Sequence, residues 1–254
     1  MRRLDVFHVP QGLTTAEIAA NSPHKYLTGK SDVQLAHSLN GVSWKRTSRE
    51  PMIPNGPPGS LSAGLLYPSS IQRTPERNGS SDPAGQQIII TASASALEHG
   101  LFSYKNGSGS GAMLSYSLRK DGFVFLESSG GIGLVGTRIL WLSLGEISVN
   151  LNARTGRVRC RVTDHSNKPL TGYDWGDSVP CEGCDTLAWI PQWKQRRNLS
   201  SLAGRGSDSV IRLEFEMVNA RLYSLEGQFA PLSSPEVRGP FPPIARPGFE
   251  PGWW

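Results

Sequence analysis

Three runs of strict apolar–polar alternation constrain this chain more than any other feature. Ile147, Val149 and Leu151 alternate with Ser148, Asn150 and Asn152. Val158, Cys160 and Val162 alternate with Arg157, Arg159 and Arg161. Ile211, Leu213, Phe215 and Met217 alternate with Arg212, Glu214 and Glu216. A period of two is the period of a β-strand with one buried and one wet face. Several such strands at short spacing predict an antiparallel β-sandwich over residues 128–230. With 28 glycines and 19 prolines in 254 residues, turns are favoured over long helices, so the expected class is all-β.

The same alternation places the charge. The chain carries a net +5, which invites a polyanionic partner. Arg157, Arg159 and Arg161 form a stripe because they share the solvent face of one strand. No aromatic residue interleaves with them in sequence, as a single-strand binder would need, and Lys194, Arg196 and Arg197 fall in a loop. Nucleic acid is therefore not an expected partner. Nor is a membrane, since no apolar run approaches the ~20 residues of a spanning helix.

The first half is less regular. Residues 1–30 read as irregular, with a helical turn at Thr14–Ala20. Asp32 to Ser38 reads as a strand running into Asn40-Gly41, a hairpin signal because both residues tolerate positive φ. Residues 47–63 are a proline-rich loop, and residues 73–86 are polar. Gln87 to Ala94 reads as a buried strand, and Ala112 to Ser117 as another. The segment Leu35 to Val42 resembles Leu114 to Phe123: each is a strand leading into an N-G or D-G turn, a weak internal repeat about 80 residues apart, as a propeller blade with an insertion would give. Residues 231–254 are proline-rich and end in Trp253-Trp254, which predicts a disordered tail.

Cysteine usage is sparse. Cys181-Glu-Gly-Cys184 is a lone C-x-x-C without the second ligand pair of a structural zinc site. It reads as a loop disulfide or as two free thiols, and neither a metal nor another cofactor is expected. N-x-[ST] sequons stand at Asn78, Asn106 and Asn198. They matter only in a secretory pathway, and no signal core follows Met1.

Several segments in order resemble a known family. They begin with Asp32-Val-Gln-Leu-Ala36, the run Ser38 to Arg46, Arg49-Glu-Pro51 and Gly56-Pro-Pro-Gly-Ser60. They continue with Asp121-Gly-Phe-Val124, Val149 to Asn152, Pro169-Leu-Thr-Gly-Tyr173, Ala203-Gly-Arg205, Ile211 to Phe215 and Asn219-Ala-Arg-Leu-Tyr223. Over residues 10–228 the series resembles a group of bacterial proteins related to family 32 of the glycoside hydrolases. There a five-bladed β-propeller precedes a C-terminal β-sandwich. The run Ser38-x-Asn-Gly-x-x-Trp44 also looks like a shortened Asp-box, with Asn40 where an Asp is expected. The resemblance implies a partial five-bladed β-propeller of about two blades in residues 1–127, the sandwich in 128–230, and the tail in 231–254.

It also implies a carbohydrate partner, and a secreted or periplasmic setting for relatives. Glycoside cleavage needs two carboxyl groups flanking the bond. The family's early-blade motifs, N-D-P-N-G, R-D-P and Glu-Cys, do not occur in this sequence, so the main catalytic carboxylates are expected to be missing. Late-blade candidates for a sugar pocket are Asp32, opening a strand, and Glu98 with His99, following the apolar strand. The pair at 98–99 reads first as a solvated turn and second as pocket lining, and Asp5, Asp82 and Asp164 read as surface. The expected function is a glycoside-hydrolase-like protein or fragment that acts on or binds carbohydrate. The alternatives are a non-catalytic binding module, with Tyr173, Trp175, Trp189 and Trp193 as platform candidates, and a degraded gene product.

Overall fold

The computed structural model describes residues 2–8, 29–38, 40–75, 82–99, 111–204 and 209–232, with backbone only for 2–8. The helical turn expected at 14–20 and the tail beyond 232 lie outside the described residues. The protein is all-β, with curled sheets that include a half-barrel. The chain divides into two compact units: Met1–Pro75 with Gln87–Arg119, and Glu76–Gln86 with Lys120–Trp254.

The first unit is a six-stranded sheet. Strands β1 (Arg2–His8), β2 (Lys30–His37), β4 (Leu65–Arg73), β5 (Gln87–Ser95) and β6 (Gly111–Arg119) lie in the order β1-β2-β4-β5-β6, and β3 (Lys45–Arg46) pairs with β2. Strand β1 corrects the expectation that residues 1–30 are irregular: all seven of its residues pair antiparallel with β2, from Arg2↔Ala36 to His8↔Lys30. Strand β4 contains Pro68, which cannot donate to a ladder. It sits at a register shift between Pro68 and Ser70, where the pairing with β5 is already interrupted.

The turn between β2 and β3 is built by side chains. Ser38 Oγ accepts from Gly41 N at 2.9 Å, and Asn40 Oδ1 accepts from Val42 N at 3.0 Å and Ser43 N at 2.8 Å. The Trp44 indole N–H donates to Gly41 O at 3.0 Å, and Gly41 takes φ +73°. Trp44 thus closes the turn, and Asn40 does with its amide oxygen what a carboxylate would do. The second D-G segment differs. Asp121 has φ +57°, but among the described residues β6 pairs only with β5, and the chain beyond the turn enters the other unit's sheet. It is not a hairpin.

The second unit holds a four-stranded antiparallel sheet in the order β10-β8-β12-β7. Its strands are β7 (Leu126–Gly136), β8 (Leu140–Asp164), β10 (Cys181–Trp189) and β12 (Val210–Pro231). A small pair, β9 (Ser178–Val179) and β11 (Gln192–Trp193), accompanies it. The two alternating runs at 147–152 and 157–162 belong to one bent strand, β8. Their buried apolar residues are odd-numbered from Ile147 to Ala153 and even-numbered from Val158 to Val162, and Asn150 is buried as well. A bulge absorbs the change of phase: residues 153–156 of β8 stand opposite 219–220 of β12, between the pairs Arg221↔Asn152 and Val218↔Arg157. Strand β7 bulges opposite the same point, between Ile132 and Ser128.

Each irregularity has its residue. A Cβ on Gly156 would overlap the Val218 carbonyl. Asn219 adopts φ +46° and accepts from Gly130 N at 3.0 Å. Aligned bulges bend a sheet sharply. At the far end, Leu140 and Trp141 pair both with Val210–Ile211 and with Ala230–Pro231, so the sheet turns back on itself. The core fills this curl with Val149, Leu151, Val158, Cys160, Val162, Ile211, Leu213 and Phe215.

Candidate functional site

Strand β2 is buried from Ser31 through Ala36, so both of its faces are covered. One edge pairs with β1. The other meets Leu65 at Ser31, Ile53 at Val33 and Arg46 at Ala36. Register tells which residues share a face. The pair Ser31↔Leu65 sets Val33, Ile53 and Leu65 on one side, and Asp32, Gln34 and Leu66 on the other. The second face continues through Leu66↔Ala94 and Ala94↔Ala112, then along Ala92, Ile90 and Ile88. Asp32 is 5% exposed and Gln34 2% exposed on this otherwise apolar row.

The other two expected pocket residues come to the same end of the sheet. After β5, Ser95 Oγ accepts from Leu97 N at 3.0 Å, and the chain runs tightly past Gly64, where a Cβ would overlap the Leu97 carbonyl. His99 N then donates to Gly29 O at 2.9 Å. Gly29 precedes Asp32 by three residues, about 10 Å along a strand. Burial separates the three: Asp32 is buried, Glu98 half-buried and His99 exposed. Sequence reasoning missed Gln34, because alternation marks a polar residue between Val33 and Leu35 as solvent-facing. Of the residues read as surface, Asp82 is exposed, and Asp164 caps a turn by accepting from Ser166 N at 2.8 Å and Lys168 N at 3.0 Å. The side chain of Asp5 lies outside the described residues.

The aromatic candidates of the second unit divide sharply. Tyr173 is 2% exposed and Trp193 3% exposed, so both are core. Their rings meet edge to face at 4.9 Å, and the Trp193 indole donates to the Cys160 carbonyl at 2.9 Å. Neither can be a platform. Trp189 is half-buried against the same core. Trp175 alone lies over the basic strand, with the guanidinium carbons of Arg159 and Arg161 at 5.1 and 4.8 Å from its ring centroid. No aromatic interleaves with the stripe in sequence, yet Trp175 reaches it from the loop that follows β8.

The stripe is also neutralised. Arg159 pairs with Glu216 at 2.7 Å, Arg161 pairs with Glu214 at 2.7 Å and Asp174 at 3.5 Å, and Arg157 approaches Glu216 at 3.9 Å. These carboxylates face the arginines because β12 pairs Glu214 with Arg161 and Glu216 with Arg159.

Cys181 and Cys184 form a disulfide on β10, and Cys160 is a free, buried thiol. Burial, then the nearby Glu214 charge, pushes the Cys160 thiol far above its ordinary range, so it is no nucleophile. Among the described residues no three His, Cys, Asp or Glu side chains gather as metal ligands. No family model, curated protein or solved structure matches the chain.

Proposed function

We propose that this chain binds carbohydrate on a glycoside-hydrolase-like scaffold and does not hydrolyse it. In this reading the first unit corresponds to about two late blades of a five-bladed propeller, and the second to the family's C-terminal sandwich. Three observations support it. The ordered residue series from Asp32 to Tyr223 resembles that family. The Ser38–Trp44 turn is closed in the manner of a shortened Asp-box. Above all, Asp32 is a carboxylate buried on the same face of β2 as Gln34 and Leu66, held out of bulk water. The second carboxyl group that cleavage needs is not seen beside it among the described residues, where Glu98 is half-buried at the neighbouring strand end.

The test is a glycan array with the intact chain and Asp32→Asn, alongside hydrolysis assays on a panel of glycosides. Binding that weakens in Asp32→Asn, without turnover, is the expected result. Turnover of any glycoside by the purified protein would overturn the non-catalytic part, and no binding anywhere on the array would overturn the whole reading. A second reading, a binding surface on the second unit, is favoured by the partly exposed Trp175 on its arginines. Binding lost in Trp175→Ala and kept in Asp32→Asn would select it.

A further inference from the structure

Buried polar groups almost always find partners. Gln34 departs from this rule: it is 2% exposed, and its Oε1 meets no hydrogen-bond donor among the described residues. Its backbone is satisfied in the sheet, so only the side-chain amide is at issue. Strand geometry puts Asp32 on the same face, about 7 Å away at the backbone. Both side chains are long enough to converge on one ligand. Its described neighbours across the sheet are Leu66, Ala92 and Ala94, which offer nothing polar, and the exposed Arg46, which pairs with Ala36 farther along the same face.

Ser31 makes a useful contrast. Its hydroxyl also lacks a partner, but it sits on the opposite face with Val33, Ile53 and Leu65, where the polar residue paired with Leu65, Ser95, already accepts from Leu97 N.

We infer that Gln34 is a sugar-contacting residue, its amide and the Asp32 carboxylate together receiving neighbouring hydroxyls of a bound saccharide. The inference rests on the carbohydrate reading above and adds a residue that the family resemblance does not name. A sugar hydroxyl both donates and accepts, so it satisfies the amide whichever way round the group is turned. An apolar residue at 34 would serve the empty protein better, because a buried amide oxygen that meets no donor is destabilising.

The test is Gln34→Met, nearly isosteric and without hydrogen-bonding groups. Without ligand its thermal midpoint is expected to rise by roughly 4–8 °C, the shift a gain near the low end of an unpaired group's penalty gives in a unit of this size. On the array, affinity for the saccharides that wild type binds is expected to fall about tenfold or more. A variant less stable than wild type, or one that fails to fold, means the amide is satisfied within the protein, and the inference falls. A stabilised variant that binds as wild type does also overturns it, leaving the carbohydrate reading intact. If wild type binds no saccharide at all, both fall.

Discussion

Replacing Trp193 by alanine should unfold the second unit more readily than any other aromatic truncation in the basic-strand region. The indole is 3% exposed inside the curled sheet. Removing a buried Trp side chain costs about 3–5 kcal/mol, through lost transfer energy and the cavity left behind. The Cys160 carbonyl, which accepts the indole N–H at 2.9 Å, would be left unpaired, in itself worth ~1–3 kcal/mol. The edge-on contact with Tyr173 adds ~0.5–1.5 kcal/mol. These contributions overlap, so the expected loss is about 4 kcal/mol, a large share of the ~5–15 kcal/mol of a typical domain.

Trp175→Ala is the matched comparison. It removes two cation–π contacts from a half-buried ring, together ~1–2 kcal/mol. Urea unfolding followed by far-UV circular dichroism, which does not depend on the deleted fluorophore, gives both values from the midpoint and slope. Trp193→Phe should fall between them, keeping the ring and losing the hydrogen bond. A loss below ~1 kcal/mol for Trp193→Ala would refute the assignment of Trp193 to the core. So would a loss for Trp175→Ala equal to that for Trp193→Ala.

Gly156→Ala should destabilise the same unit by about 2 kcal/mol or more, because the added Cβ meets backbone that is not free to yield; the same urea titration reads it. Asn40→Asp should be tolerated within ~0.5 kcal/mol and Asn40→Ala should cost ~1–2 kcal/mol, because only the alanine removes the acceptor that caps Val42 and Ser43; thermal melts distinguish the two. Native protein without reductant should take up no iodoacetamide, and denatured protein should alkylate at Cys160 alone, as read by peptide mass spectrometry. The raised Cys160 thiol also sets a pH dependence. Its ordinary value is 9.0, so the unfolded chain releases this proton first. The stabilisation is complete below pH 9 and declines as pH rises beyond it, by up to ~1.4 kcal/mol per pH unit. A Cys160→Ala chain should lack that decline in alkaline urea titrations.

Much of the second unit was legible because its strands bury one face and wet the other. The period-two signal at Ile147, Val158 and Ile211 marked the buried apolar residues correctly, but it assigned Asn150 and Glu216 to the wet face, and the structure buries both. It could not join the first two runs into β8, since their phases disagree and the bulge that reconciles them depends on Val218 and Asn219, more than sixty residues on. Pairing partners were equally out of reach. Glu214 and Glu216 neutralise the arginine stripe only because β12 lies beside β8 in that register, and Trp175 reaches the stripe by way of a loop. Strand β1 was missed because its short run, with Arg2, Arg3 and Asp5, carries too few apolar residues to signal a strand unless its partner is known.

The candidate site shows the same limit in sharper form. Asp32-Val-Gln-Leu-Ala36 has the pattern of a half-wet strand, with Asp32 and Gln34 turned to solvent. The structure buries both, in a strand whose edges pair with β1 on one side and with β3, Ile53 and Leu65 on the other. A buried amide without a donor conflicts with otherwise consistent local rules. Such conflicts concentrate where a protein gives up stability for function. The resemblance pointed to Asp32, and burial leads from Asp32 to Gln34. The ranking of the two residues therefore rests on stability as much as on binding. Asp32→Asn keeps a polar group on that face, so it should leave the melting temperature of the empty protein nearly unchanged and change affinity alone. Gln34→Met should move both, in opposite directions. If the two substitutions instead weaken the fold alike, β2 is an ordinary buried strand and its polar face has no ligand to explain.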